Sequence, residues 1–239
     1  MPGSPARRAS LAAADGRHAR GPPAITLCYR AVQVGRAGRV AIVQVNDLLP
    51  RHAAAWTGAT QHPFLIGVRD GTLPAPAFAA WLVQDHHFVA DLLAFQARLL
   101  ARAPRHAQPV LAAGAVALVD ELAWFDEQAA ARGLDLAAAP APATLAYRDL
   151  LGRLDAAPVP EALVALWAIE RTYLDAWAFA SPGAPAYREF VTHWTTPDFA
   201  GYVTGLAEVA SRSAPPADEV FLAVVAAEVD FWAATGAGA

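Results

Sequence analysis

Apolar residues recur along most of the chain at steps of three and four, the spacing that lays them on one stripe of an α-helix. Between Phe78 and Leu100 the residues Phe78, Trp81, Leu82, Phe88, Val89, Leu92, Phe95 and Leu99 keep this spacing. They predict one long helix, opened by Thr72 as cap with Pro74 and Pro76 in its first turn, and stopped near Pro104. Before it, a helical region runs from about Asn46 to Val68, broken near Pro63 and closed by the turn Arg69-Asp70-Gly71. After it come helices over Gln108 to Arg132, ending at Gly133, then Thr144 to Leu154 and Glu161 to Ala180. A short segment, Tyr187 to Trp194, leads to a helix opened by Thr196-Pro197-Asp198 and running to about Ser211. The last helix spans Ala217 to Ala234. The run Val40 to Val45 is strand-like, but no second strand signal follows for it to pair with. The expectation is an all-α fold, a helical bundle of seven or eight helices.

Composition agrees with that reading and adds an asymmetry. The chain has 239 residues, 56% hydrophobic and 17% charged, enough for one domain with a sizeable core. Lys is absent. Residues 1–45 hold seven Arg and one acid, a net of +6, while residues 46–239 hold 11 basic and 21 acidic residues, a net of -10. The two domains expected are therefore a basic N-terminal extension, 1–45, and a helical body, 46–239. The extension buries little apolar surface and reads as disordered or as an overextended start. Its composition also fits a transit peptide or a polyanion-binding arm, and it lacks the compact apolar stretch of a secretory signal. An acidic body repels phosphate backbones, so no nucleic-acid partner is expected. The longest stretch free of Asp, Glu and Arg, His52 to Val68, has 17 residues with two His, two Gly and a Pro. A bilayer span takes roughly 20 apolar residues, so no membrane segment is expected, and the location is read as cytoplasmic. The single cysteine, Cys28, leaves no internal disulfide.

Three carboxylates interrupt the apolar stripes. Asp85 follows Trp81 by four residues and Leu82 by three, and Phe88 and Val89 follow it at the same steps, so it shares their face. Glu170 takes the corresponding place among Leu166, Trp167, Tyr173 and Leu174, and Glu228 among Val224, Val225, Phe231 and Trp232. An unpaired buried carboxylate is costly, so each must be protonated, bonded to a partner, or open to a polar pocket. One reading is an internal acid bonded to Tyr147, Tyr173, His86, His87 or Arg171. The other is a small acidic cavity with aromatic walls, which three coincidences on three helices favour. Glu121, beside the stripe of Leu111, Leu118, Leu122 and Phe125, is a fourth acid and reads as structural. His86 and His87 diverge by about 100° on a helix, so neither a metal site nor a cofactor is expected.

At these residues the chain resembles a family. His62-Pro63-Phe64, Asp70-Gly71-Thr72-Leu73-Pro74, Phe78 and Gln84-Asp85 resemble the opening signature of the thiaminase II (TenA) family. Tyr147 with Asp149, the run from Ala165 to Glu170 with Tyr173, His193-Trp194 before Pro197-Asp198-Phe199, and Glu228 with Phe231-Trp232 follow in the family's order. The resemblance covers about residues 50 to 234. It implies a haem-oxygenase-like helical bundle without haem that binds and hydrolyses an aminopyrimidine of thiamin metabolism. It also implies assembly as a dimer or tetramer. The nucleophilic Cys of the better-known branch matches a position at or beside Ile169, so the chain is similar to the cysteine-less branch, which hydrolyses aminomethyl-pyrimidine or its formyl derivative in thiamin salvage. Phe88 stands where the better-known branch has Tyr.

Hydrolysis of an exocyclic C–N bond needs a water, a base for its proton and an acid for the ring or the leaving amine. The expected roles are proton donation by Glu228, retention of the aminopyrimidine edge by Asp85, and positioning or deprotonation of water by Glu170. Tyr147 and Tyr173 would orient these acids, and Phe88 and Trp194 would sandwich the ring. Burial should lift at least one of the carboxyl pKa values toward neutrality. The alternatives are a non-catalytic pyrimidine-binding or regulatory protein, and an oxidative or cofactor-synthesis enzyme on the same scaffold.

Overall fold

The computed structural model describes residues 44–213 and 217–234. The basic extension with Cys28, and the strand-like run as far as Val43, lie outside the described residues. Among them the fold is helical throughout, with ten α-helices and one 3-10 turn, Val45–Asp47. The number exceeds the expected seven or eight because the first region divides more often than Pro63 alone would require. It forms α1 (Leu48–Arg51), α2 (Ala53–Thr60) and α3 (Pro63–Asp70), and the backbone leaves the helical region at His52 and again at Gln61. At the second break the His62 imidazole accepts the Phe64 N–H at 3.2 Å, with Pro63 in the first turn behind it. Gly71 then closes α3 with φ of 77°, a left-handed conformation that glycine adopts without a Cβ clash.

The long stripe forms α4 (Ala75–Arg102), which packs along α5 (Gln108–Arg132). Thr72 does not cap α4. Its N–H and that of Leu73 both close α3 onto the Gly67 carbonyl, and Pro74 occupies the cap position instead. The remaining helices are α6 (Pro142–Ala156), α7 (Val159–Ala180), α8 (Arg188–His193), α9 (Pro197–Ser213) and α10 (Asp218–Ala234). The Thr196 hydroxyl accepts the Phe199 N–H at 3.2 Å, the cap its sequence predicts.

Helix α7 is the centre. Residues 162–170 are all buried, and α7 packs against α2, α3, α4, α6, α9 and α10, so it is apolar around nearly its whole circumference. Four tryptophans, Trp81, Trp167, Trp177 and Trp232, are wholly buried. Trp81 has Trp177 at 5.4 Å, Trp232 at 5.6 Å and Phe64 at 5.3 Å between ring centroids, which fills the side of the bundle shared by α3, α4, α7 and α10. Helix α5 alone of the described helices is long and apolar enough to cross a membrane, with a mean hydropathy of 1.2. Its inner stripe of Leu111, Leu118 and Phe125 belongs to the common core, and Asp120 and Glu121 interrupt its middle.

Candidate active site

The opposite side of α4 and α7 is hollow. Facing it, α5 presents Ala113, Gly114 and Ala117, whose side chains are too small to reach α7, and α9 closes the space with Phe199 and Tyr202. The cavity left between them has about 450 Å³, within the usual range for small-molecule sites. Phe88 and Val89 of α4, Ile169, Glu170 and Tyr173 of α7, Glu121 of α5, His193 and Trp194 at the end of α8, and Asp198 in the first turn of α9 are among the residues that line it. Thus Phe88, Glu170, Tyr173 and Trp194 stand where the sequence places them, around one void.

Asp85, Glu228 and Tyr147 do not line that void. They lie one layer behind it, and here the internal-acid alternative is the one found. Tyr173 donates its hydroxyl to Asp85 Oδ2 at 2.7 Å, and Tyr147 donates to Glu228 Oε1 at 2.5 Å. Each tyrosine supplies the hydrogen bond that a buried carboxyl group requires. Asp85 Oδ1 keeps no partner in its wholly buried position. Arg171 serves neither acid and pairs instead with Asp175 at 2.9 Å. His87 is directed to the Ala138 carbonyl at 2.8 Å, and no group of three or more potential metal ligands occurs among the described residues.

Electrostatics separate these acids further. Burial raises the Asp85 pKa well above the usual carboxylate range, against the Tyr173 bond that lowers it, and the charges of Glu121 and Glu228 raise it further. Burial also raises Glu228 to about 7, partly offset by Tyr147. Glu170 is pushed up to about 8, by burial first and then by the charges of Glu121 and Glu228, against which a hydrogen bond donated by Tyr202 would lower it. A carboxyl group with that pKa is mostly protonated at neutral pH and carries a proton to give.

Glu121 is the acid that sequence reasoning undervalued. Its Oε1 accepts the Trp194 indole N–H at 2.7 Å and its Oε2 meets His193 Nε2 at 2.7 Å. The His193 ring in turn lies flat on Trp124, with centroids 3.9 Å apart and planes 6° from parallel. One carboxylate on α5 therefore fixes the two residues that end α8, and with them the aromatic edge of the cavity. The signal was present, because Glu121 follows Leu118 by three residues and precedes Phe125 by four.

A sequence model of the TENA/THI-4/PQQC family matches residues 49–237. The chain belongs to this family. A Glycine max relative named "Probable bifunctional TENA-E protein" is 31% identical over 217 residues, 82% of this chain and 95% of its own length. Among solved structures, a TenA homologue from Pyrococcus furiosus superposes with a TM-score of 0.75 at 27% identity, covering 80% of this chain and 98% of the other. A TenA-like protein from Sulfolobus solfataricus shares the fold with a TM-score of 0.70 at 18% identity, covering 84% and 96%. The TENA/THI-4/PQQC match takes in every cavity-lining helix and leaves out the basic extension. Within this TenA fold Ile169, at or beside the position that the resemblance gives to the nucleophilic Cys of the better-known branch, lies on the cavity surface beside Glu170.

Proposed function

We propose that the chain hydrolyses an exocyclic C–N bond of an aminopyrimidine of thiamin metabolism, aminomethyl-pyrimidine or its formyl derivative. Family membership and the TENA-E relative support a thiamin-related substrate. The observation that carries the reaction type is Glu170, a cavity-lining carboxyl group held neutral at physiological pH. With Ile169 next to it, that surface offers a proton donor and no thiol, as acid-assisted attack by water requires.

In this reading the flat ring lies between Phe88 and Trp194. The Tyr173 hydroxyl gives its proton to Asp85, so its oxygen lone pairs remain to accept the ring's amino group. Asp85 and Glu228 act through Tyr173 and Tyr147, as positioning residues. For the aminomethyl substrate, water oxygen bonds to the exocyclic carbon while the C–N bond breaks. Glu170 delivers its proton to the departing nitrogen, which leaves as ammonia, and the proton of the attacking water passes to Glu121. The mostly apolar lining keeps other water away.

The test is incubation of the protein with thiamin, formylaminopyrimidine and aminopyrimidine, with products followed by mass spectrometry. Release of the hydroxymethyl-pyrimidine or of formate, absent in Glu170→Gln, is expected. Tight binding of a pyrimidine with no product would replace hydrolysis by the non-catalytic binding reading, which the tyrosine bonds on Asp85 and Glu228 would suit equally well.

A further inference from the structure

Behind the cavity a chain of hydrogen bonds runs from the backbone of α5 to the neighbourhood of Glu170, and its polarity follows from which groups can donate. Gln96 of α4 is wholly buried, and its Nε2 donates to the Leu111 carbonyl at 2.8 Å. A backbone carbonyl only accepts, so the amide nitrogen must face it and Oε1 must face the other way. Tyr202 of α9 meets that oxygen at 3.1 Å. An amide oxygen also only accepts, so the single hydroxyl proton of Tyr202 is committed to Gln96. A Tyr202 hydroxyl that pointed at a Glu170 carboxylate would lower the Glu170 pKa; with its proton on Gln96, Tyr202 instead shows Glu170, its neighbour on the cavity surface, an oxygen lone pair.

We infer that Gln96 and Tyr202 are positioning residues that make Glu170 the donor in its contact with Tyr202 and so store the proton that the cavity chemistry uses. This rests on the reading of Glu170 as the catalytic acid. A phenol oxygen is a poor acceptor beside an amine nitrogen, so a leaving amine takes the proton readily. The carboxylate that remains faces a lone pair and two negative neighbours until it is reprotonated. The groups around Glu170 favour the same state. Glu121 faces it from α5, Glu228 from α10 and Tyr147 from α6, Asp198 of α9 and Tyr173 of α7 share its cavity, and α4 offers only apolar side chains on the shared surface. The one basic side chain on that surface, His193 of α8, is bonded to Glu121 rather than to Glu170.

Gly114 makes the relay possible. A Cβ at that position would lie 2.3 Å from both Gln96 Nε2 and Tyr202 Oη, so any larger residue would drive the two side chains off α5. The absence of a side chain in mid-helix, unfavourable for the helix itself, is what lets Gln96 reach the Leu111 carbonyl.

The sign of a pKa change distinguishes the two possible polarities. The full-length protein is labelled with ¹³C at glutamate carboxyl carbons, Glu170 is assigned by the resonance missing in Glu170→Gln, and its titration is followed by NMR in Tyr202→Phe and Gln96→Leu. Tyr202→Phe removes the acceptor of the neutral acid, and the Glu170 midpoint should fall by about one unit. Gln96→Leu frees the Tyr202 proton to turn toward Glu170, which should lower the midpoint as well. If Tyr202 instead donates to a Glu170 carboxylate, Tyr202→Phe raises the midpoint, and a rise or an unchanged value overturns the proposal. Should Gln96→Leu fail to fold, the conservative Tyr202→Phe decides alone. In the hydrolysis assay the alkaline limb of kcat should move to lower pH in Tyr202→Phe, with KM little changed. The titration is read without substrate, so a protein that hydrolyses none of the compounds tested still reveals which way the Tyr202 proton points.

Discussion

Helices α4 and α7 border two regions that differ in how they are filled. On one side, Trp81, Trp177 and Trp232 meet ring against ring and close the space completely. On the other, Ala113, Gly114 and Ala117 of α5 leave about 450 Å³ open. Both regions are walled by helices of ordinary propensity, so the difference lies in side-chain volume alone. The acids divide along the same line. Asp85 and Glu228, behind the hollow, each take a tyrosine hydroxyl at 2.7 and 2.5 Å, while Glu170, raised to about 8 mainly by burial, borders a space that a ligand can enter. The filled region supplies rigidity and the hollow supplies room.

Substitutions can break that division, and the filled side should suffer most in stability. Trp81→Ala should lower the free energy of unfolding by about 4 kcal/mol, because surrounding rings cannot collapse into the void, and urea denaturation measures it. Next in size, Glu170→Gln should reduce kcat by roughly 10²-fold or more while the unfolding free energy stays level or rises, since a neutral amide replaces a group already neutral in the fold. Against pH the effect is gradual and spread over several units. Glu170 and Glu228 have folded-state pKa values of about 8 and about 7, above the 4.5 of an unperturbed glutamate. Because the folded state binds their protons more tightly, their contribution to stability is complete below about 4.5 and is lost as pH rises to about 7 and about 8. The loss per group is about 1.4 kcal/mol per pH unit within its window. Denaturation curves across that range should show the decline, and Glu170→Gln should flatten its upper part. Smallest of all, Ala117→Leu, which extends a side chain into the hollow, should weaken pyrimidine binding by roughly fivefold, about 1 kcal/mol, with unfolding almost unchanged. Calorimetric titration checks it.

Much of the architecture could be read from the sequence because its long helices carry long stripes. The helix predicted over Gln108 to Arg132 is found with those bounds, and the predicted Glu161 start of the next long helix falls two residues inside α7. The short N-terminal helices were less legible, because the break comes at His52, neither Pro nor Gly, two residues after a Pro50 that α1 itself contains. At the site, periodicity correctly placed Asp85, Glu170 and Glu228 inward. It could not say which of two inward residues would meet a void, since that depends on the volumes facing them from α5 and α9. Gln96 illustrates the remaining gap. It lies four residues after Leu92 and three before Leu99, as inward as Asp85, yet an uncharged amide within a stripe draws less notice than an acid.

The stack of Trp124 on His193 gives the molecule an optical reporter. An imidazole ring stacked 3.9 Å above an indole alters its fluorescence, and Glu121 ties that imidazole to the rim of the hollow. The part of the emission that is missing from a Trp124→Phe protein would therefore report how His193 sits on the ring. A ligand that draws Glu121 away from His193 should change the same signal, so occupancy can be followed by light without a label.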